Sequence, residues 1–143
     1  MSKLKLILIV SLIFGYFSSC KNQSPIPQVY VNFLIQLNDP TFLPLSPVGG
    51  SVYIPHEGNK GIIVIQSGYQ EFSAYDATCT HDPENEWGRV QIEDNGIFAI
   101  DTLCGSQFSL VMGGVVTHGP AGLGLVQYAI DYNANMQTLR IHN

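Results

Sequence analysis

Positive charge is what this 143-residue sequence has least of: six Lys and Arg stand against eleven Asp and Glu, and charged residues together make up only 12%. Two of the six bases, Lys3 and Lys5, lie at the extreme N-terminus, leaving Lys21, Lys60, Arg89 and Arg140 to face all eleven acids. A protein that binds nucleic acid needs a basic stripe to displace phosphate counterions, and none is present. Catalytic signatures are missing as well. No Ser/His/Asp arrangement, Gly-rich phosphate loop or second metal domain of the oxygenase kind is visible, so the chain is not read as an enzyme. Helical periodicity is absent beyond residue 20. Cysteine is limited to three positions, Cys20, Cys79 and Cys104.

What is present suits a small folded domain. Aromatic residues at 10% and fourteen glycines belong to a turn-rich folded chain rather than a disordered one, and the length suits one modest core. Residues 1–20 have the layout of a secretion signal: Lys3 and Lys5, an apolar run over residues 6–17, then Ser18-Ser19-Cys20. The run is short for a spanning helix. Small residues before a cysteine resemble a bacterial lipoprotein processing site, which makes Cys20 the expected lipidation site, with an uncleaved signal anchor as the alternative. Either arrangement puts the domain outside the cytoplasm; with lipid on Cys20 it belongs to the cell envelope, at the periplasmic face or the outer membrane, attached through lipid and not through charge. Residues 21–28 are polar, contain Pro25 and Pro27, and read as an extended tether. Residues 29–143 read as one β domain.

Within that domain, residues 29–37 alternate apolar and polar with a period of two, the mark of a half-buried strand, and Pro40 ends it. Residues 51–54 and 61–66 predict a hairpin around a turn that holds His56, a solvated tip residue with no second ligand near it in sequence. Residues 71–78 predict a strand that delivers Cys79 to its end. The loop after it is acidic but lacks the ligand spacing of a calcium loop, and Trp87 is expected to pack beneath it. Asn95-Gly96 predicts a tight turn between residues 89–93 and 97–101. Gly113-Gly114 predicts a two-residue turn between residues 108–112 and 115–117. Residues 124–132 and 138–142 predict a last hairpin, and His118 reads as a surface loop residue.

The chemistry concentrates in the loops of this pattern. Cys79-Thr80-His81 is followed twenty residues after His81 by Asp101-Thr102-Leu103-Cys104-Gly105-Ser106-Gln107-Phe108, and later by Gly119-Pro120-Ala121. A Cys and a His two apart, answered by a second thiol on a glycine-containing loop, is how two hairpin tips grip a metal centre. In order and spacing these motifs resemble the Rieske iron-sulfur domain family, in particular the short Rieske-like lipoproteins of bacterial envelopes. The resemblance implies an all-β fold of antiparallel sheets with two hairpin-tip ligand loops, a 2Fe-2S cluster, electron transfer, and contact from a third loop at Gly119, Pro120 and Ala121. Donor and acceptor would be another envelope protein. It places Cys79, His81, Asp101 and Cys104 at the ligand positions, with Asp101 where the family carries its second Cys and Cys104 where it carries its second His.

Rieske centres hold one iron by two thiolates and the other by two imidazoles, which raises the potential well above that of all-thiolate clusters. That asymmetry is lost in this ligand set. Three states remain open at the loop tips. A 2Fe-2S cluster would take a carboxylate in place of a thiolate, although carboxylates suit this soft chemistry less well. A single zinc or iron ion would find an acceptable tetrahedral set in two thiolates, one imidazole and one carboxylate. A disulfide between Cys79 and Cys104 would leave no metal site; it would contribute roughly 3 to 4 kcal/mol on the chain-entropy account and needs the Cα atoms within about 7 Å. In the last case the chain is a cofactor-free, stapled interaction module.

Overall fold

The computed structural model describes residues 26–143. The expected leader and its Cys20 lie outside the described residues. Ten strands follow in chain order: β1 (Asn32–Gln36), β2 (Ser51–Ile54), β3 (Ile62–Gly68), β4 (Glu71–Asp76), β5 (Gln91–Ile92), β6 (Phe98–Ile100), β7 (Gln107–Ser109), β8 (Val115–His118), β9 (Gln127–Asn133) and β10 (Thr138–His142). They form a six-stranded sheet, ordered β1-β10-β9-β4-β3-β2, and a four-stranded sheet, ordered β5-β6-β7-β8. All pairings are antiparallel. The domain is therefore all-β.

Strand β3 explains how the layers stack. Ile62, Ile63, Val64 and Ile65 are all fully buried, and a strand covered on both faces needs such an unbroken apolar run. Side chains alternate across a strand. Ile63 and Ile65 enter a core with Tyr75, Ala77, Cys79, Val90, Ala99, Phe108 and Leu110, which lies toward the four-stranded sheet. Ile62 and Val64 enter the opposite core with Val31, Ile35, Leu45, Leu139 and Ile141. The six-stranded sheet is the wall between them.

Several local expectations are corrected. The crossing after β1 is a 3-10 helix, Pro40–Leu45, because Asp39 accepts a 2.8 Å hydrogen bond from the Thr41 N–H and Pro40 opens the turn with its φ already set. The predicted Gly113-Gly114 turn is longer: Ser109 pairs with Val115, so residues 110–114 form the connection. At Asn95-Gly96 only the glycine takes a positive φ. Asn95 instead closes an Asx turn, its Oδ1 accepting from the Ile97 and Phe98 N–H groups. Trp87 is 75% exposed and does not pack beneath its loop. His56 and His118 are exposed, as expected of solvated residues, but His118 ends strand β8 and is not a loop residue.

The last residues of the stretch read as a tether lie against the domain. Ile26 is buried, and Asn59 Nδ2 donates to the Pro27 carbonyl at 2.7 Å.

Candidate metal centre

Strand β4 points the chain at the site and a short bridge fixes where it ends. Thr78 pairs with Arg89, the Val90 N–H donates to the Ala77 carbonyl, and the Cys79 N–H donates to the Gly88 carbonyl. These bonds fold residues 80–88 into a loop and leave Cys79 fully buried at its root. The loop is held from the neighbouring hairpin. Lys60 Nζ donates to the carbonyls of Pro83, Asn85 and Gly88, at 3.0 Å to Pro83 and 3.1 Å to Gly88. Thr80 adds a bond from its hydroxyl to the Leu123 carbonyl in the third loop.

The second loop joins β6 to β7. Asp101 is 2% exposed and closes the loop on itself: its N–H donates to the Ser106 carbonyl, its carbonyl accepts from Gly105, and its Oδ1 accepts from Leu103 at 2.9 Å. Cys104 sits half-buried at the tip, with Sγ 3.5 Å from Asp101 Oδ2 and 3.1 Å from Ser106 Oγ. The third loop closes over this one. The Ala121 N–H donates to Ser106 Oγ at 3.0 Å. Gly119, at φ +92°, comes so near that a Cβ there would lie 2.5 Å from Ser106 Cα. Of the three expected contact residues, Gly119 and Ala121 meet the second loop, while Pro120 is exposed.

Three of the four expected ligands converge. Donor atoms of Cys79, Asp101 and Cys104 lie within 4.8 Å of one another, and the two Sγ atoms are 3.6 Å apart. His81 is not in this group; its side chain is exposed, and it reaches Cys79 through its backbone N–H. Both cysteines are free thiols. Burial first, then hydrogen bonding to Asp101 and Cys104, together push the Cys79 thiol up to about 12 against the opposing His81 N–H. At neutral pH Cys79 is thus a protonated thiol unless a metal replaces the proton.

This donor set does not reproduce a Rieske centre, which takes two thiolates on one iron and two imidazoles on the other. Among the described residues no imidazole belongs to the cluster. Two ligands on one tetrahedral ion, with bonds of about 2.3 Å, stand about 3.8 Å apart. The observed 3.6 Å is close to that separation, so the geometry suits one ion shared by both thiols better than a pair of irons with one thiol each.

Ser106, Thr80 and Lys60 were not singled out by sequence. Ser106 lies inside the Gly-Ser-x-Phe motif, and that motif was the available signal. Lys60 carried no signal, since its partners are backbone carbonyls more than twenty residues away.

Two sheets, two loops meeting at one buried and one half-buried thiol, and a third loop laid over them define a Rieske-like fold. A solved structure with this architecture is the cyanobacterial plasma membrane Rieske protein PetC3 from Synechocystis, which is 22% identical, covers 81% of this chain and 100% of its own, and superposes with a TM-score of 0.53. No protein-family model and no curated protein matches the sequence.

Proposed function

We propose that the chain is a membrane-anchored Rieske-like domain of the electron-transfer type, whose centre is built by Cys79, Asp101 and Cys104 in place of the two-Cys, two-His set. The observation that carries this reading is the 3.6 Å thiol pair with a buried carboxylate beside it, set at the loop tips of a Rieske-like fold. An iron ion held there would supply one-electron chemistry. The chain's own residues bind and shield: Cys79 and Cys104 offer thiolates once deprotonated, Asp101 offers an oxygen, and the third loop restricts water. His81, at the mouth of the first loop, is available as an outer ligand. The domain reaches the membrane through lipid on Cys20 and exchanges electrons with another envelope protein.

A second reading is favoured by the same 3.6 Å approach of the two sulfurs. In an oxidising compartment the same two thiols close into a disulfide, and the domain is a stapled interaction module without a cofactor.

Native mass spectrometry of the anaerobically purified protein, repeated after denaturation, separates these states. Added mass of one iron supports the electron carrier with a single-ion centre. Two irons and two sulfides would restore the cluster and overturn the geometric argument for one ion. One zinc would remove the redox role. A mass short by two hydrogens, with the bond mapped to Cys79 and Cys104, would establish the staple.

A further inference from the structure

The two thiols at the loop tips are unequal in their access to solvent. Cys79 has no exposed surface and belongs to the core that holds Ile63, Tyr75, Ala77 and Phe108. Cys104 is half-buried at the tip of the second loop, next to the exposed Thr102 and Leu103. A molecule arriving from solvent therefore meets the Cys104 sulfur, and the Cys79 sulfur stands 3.6 Å behind it. That separation exceeds a disulfide bond by about 1.5 Å. The movement needed to close it falls on Cys104, since its loop is fastened at Asp101 and Ser106 while the tip between them is exposed.

Two buried polar side chains attend the pair. Ser106 Oγ lies 3.1 Å from Cys104 Sγ and already accepts from the Ala121 N–H, so its own hydrogen is available to that sulfur. Asp101 Oδ2 lies 3.5 Å from Cys104 Sγ, and the same carboxylate is hydrogen-bonded to Cys79. An accessible thiol, a shielded thiol in contact with it and a carboxylate touching both are the parts that thiol–disulfide exchange requires.

We propose that the metal-free pair exchanges with small organic disulfides, with Cys104 as the entry sulfur and Cys79 as the resolving one. This activity rests on the second reading above, in which the two thiols close, and makes that bond a reversible one with a fixed order of attack. The Cys104 thiolate attacks one sulfur of R–S–S–R, whose S–S bond breaks as RS⁻ leaves with the bonding pair. Cys79 then attacks Cys104 Sγ from the buried side, opposite the leaving group, and its proton passes to Asp101. The second RS⁻ departs to solvent and the bond between Cys79 and Cys104 is complete. Two protein thiols are oxidised and one disulfide is reduced to two thiols, which take up the protons that Cys104 and Cys79 gave up.

The test mixes the full chain, reduced and stripped of metal by a chelator, with oxidised glutathione in the absence of air, and reads acid-quenched samples by intact mass and peptide mapping. The expected result is a glutathione adduct on Cys104 that decays into a product short by two hydrogens. Cys79→Ser should halt at the adduct, and Cys104→Ser should form one at least about tenfold more slowly than Cys79→Ser does. If a variant does not fold, the quenched adduct of the unaltered protein still reports which sulfur reacted first. First adduct on Cys79, equal rates in the two variants, or an adduct of the unaltered protein that never closes would each overturn the assignment. Diamide, a thiol oxidant, separates this outcome from failure of the reading beneath it. Closure by diamide without reaction toward glutathione removes the exchange and leaves the staple, whereas closure by neither removes both.

Discussion

The Tyr128 hydroxyl donates a 2.7 Å hydrogen bond to Oδ2 of Asp76, a carboxylate with no exposed surface. Asp76 also accepts from the N–H groups of Asn59 and Thr78 and from the Thr78 hydroxyl. Its negative charge is thus met by four dipoles and, among the described residues, by no ion-paired cation. Replacing Tyr128 with Phe keeps the ring and removes one of these donors. The expected cost is about 1.5 to 3 kcal/mol, the range for a hydrogen bond to a charged group, read as a lower denaturant midpoint with unchanged slope.

Stability should fall on the alkaline side. Burial raises the Tyr128 pKa above its ordinary 10.0, with Asp76 adding to the effect, and burial raises Tyr75 as well. Above about pH 10 the unfolded chain loses tyrosine protons that the native state keeps, so the unfolded state binds fewer and the stability slope is negative. This contribution is constant below that pH. Denaturation midpoints should stay level from about pH 8 to pH 9 and decline toward about pH 11, in step with delayed tyrosinate absorbance in the folded protein.

Lys60→Met keeps the aliphatic stem and removes the ammonium that gathers three carbonyls of the first loop. A loss of about 1 to 3 kcal/mol is expected from carbonyls left without their charged donor. Hydrogen exchange should quicken across residues 82–88 before it changes in β3, which would mark the loss as local.

The two thiols should differ in reactivity. With metal removed and disulfides reduced, Cys104 should be alkylated first, since it is half-buried while Cys79 is fully buried and pushed up to about 12. Only the thiolate attacks, so Cys79 should lag by at least about tenfold at neutral pH. Peptide mapping after a short pulse of iodoacetamide reads the ratio directly.

Gly119→Ala should disturb the centre without touching a donor. The backbone there is at φ +92° and the added methyl meets Ser106 Cα. Strain of this kind costs about 1 to 3 kcal/mol, and the shift should be accompanied by faster labelling of Cys104 as the third loop lifts.

The all-β class and the order of the hairpins were legible in the chain because alternation reports which face of a strand is covered. Val31 and Ile35 are buried where residues 29–37 alternate, and the continuous run in β3 marks a doubly covered strand. The loop motifs also identified which thiols would meet. What stayed hidden depended on tertiary placement. His81 follows Cys79 at a ligand spacing, yet sequence spacing does not fix where a side chain points on a loop, and the ring ends exposed. Trp87 is exposed because Lys60, from another hairpin, organises the loop instead.

Asn143 clasps the start of the domain: its side chain accepts from the Val31 N–H and donates to the Val29 carbonyl, and its own N–H donates to the Val31 carbonyl. Tension arriving from the N-terminal side meets the Asn59–Pro27 bond first, then this clasp, then the five-residue ladder of β1 on β10. Cys104 and its covering third loop adjoin the other sheet. A tug on the chain is therefore borne by the six-stranded sheet and its β2–β3 connection, and the thiol pair sits outside the path of force.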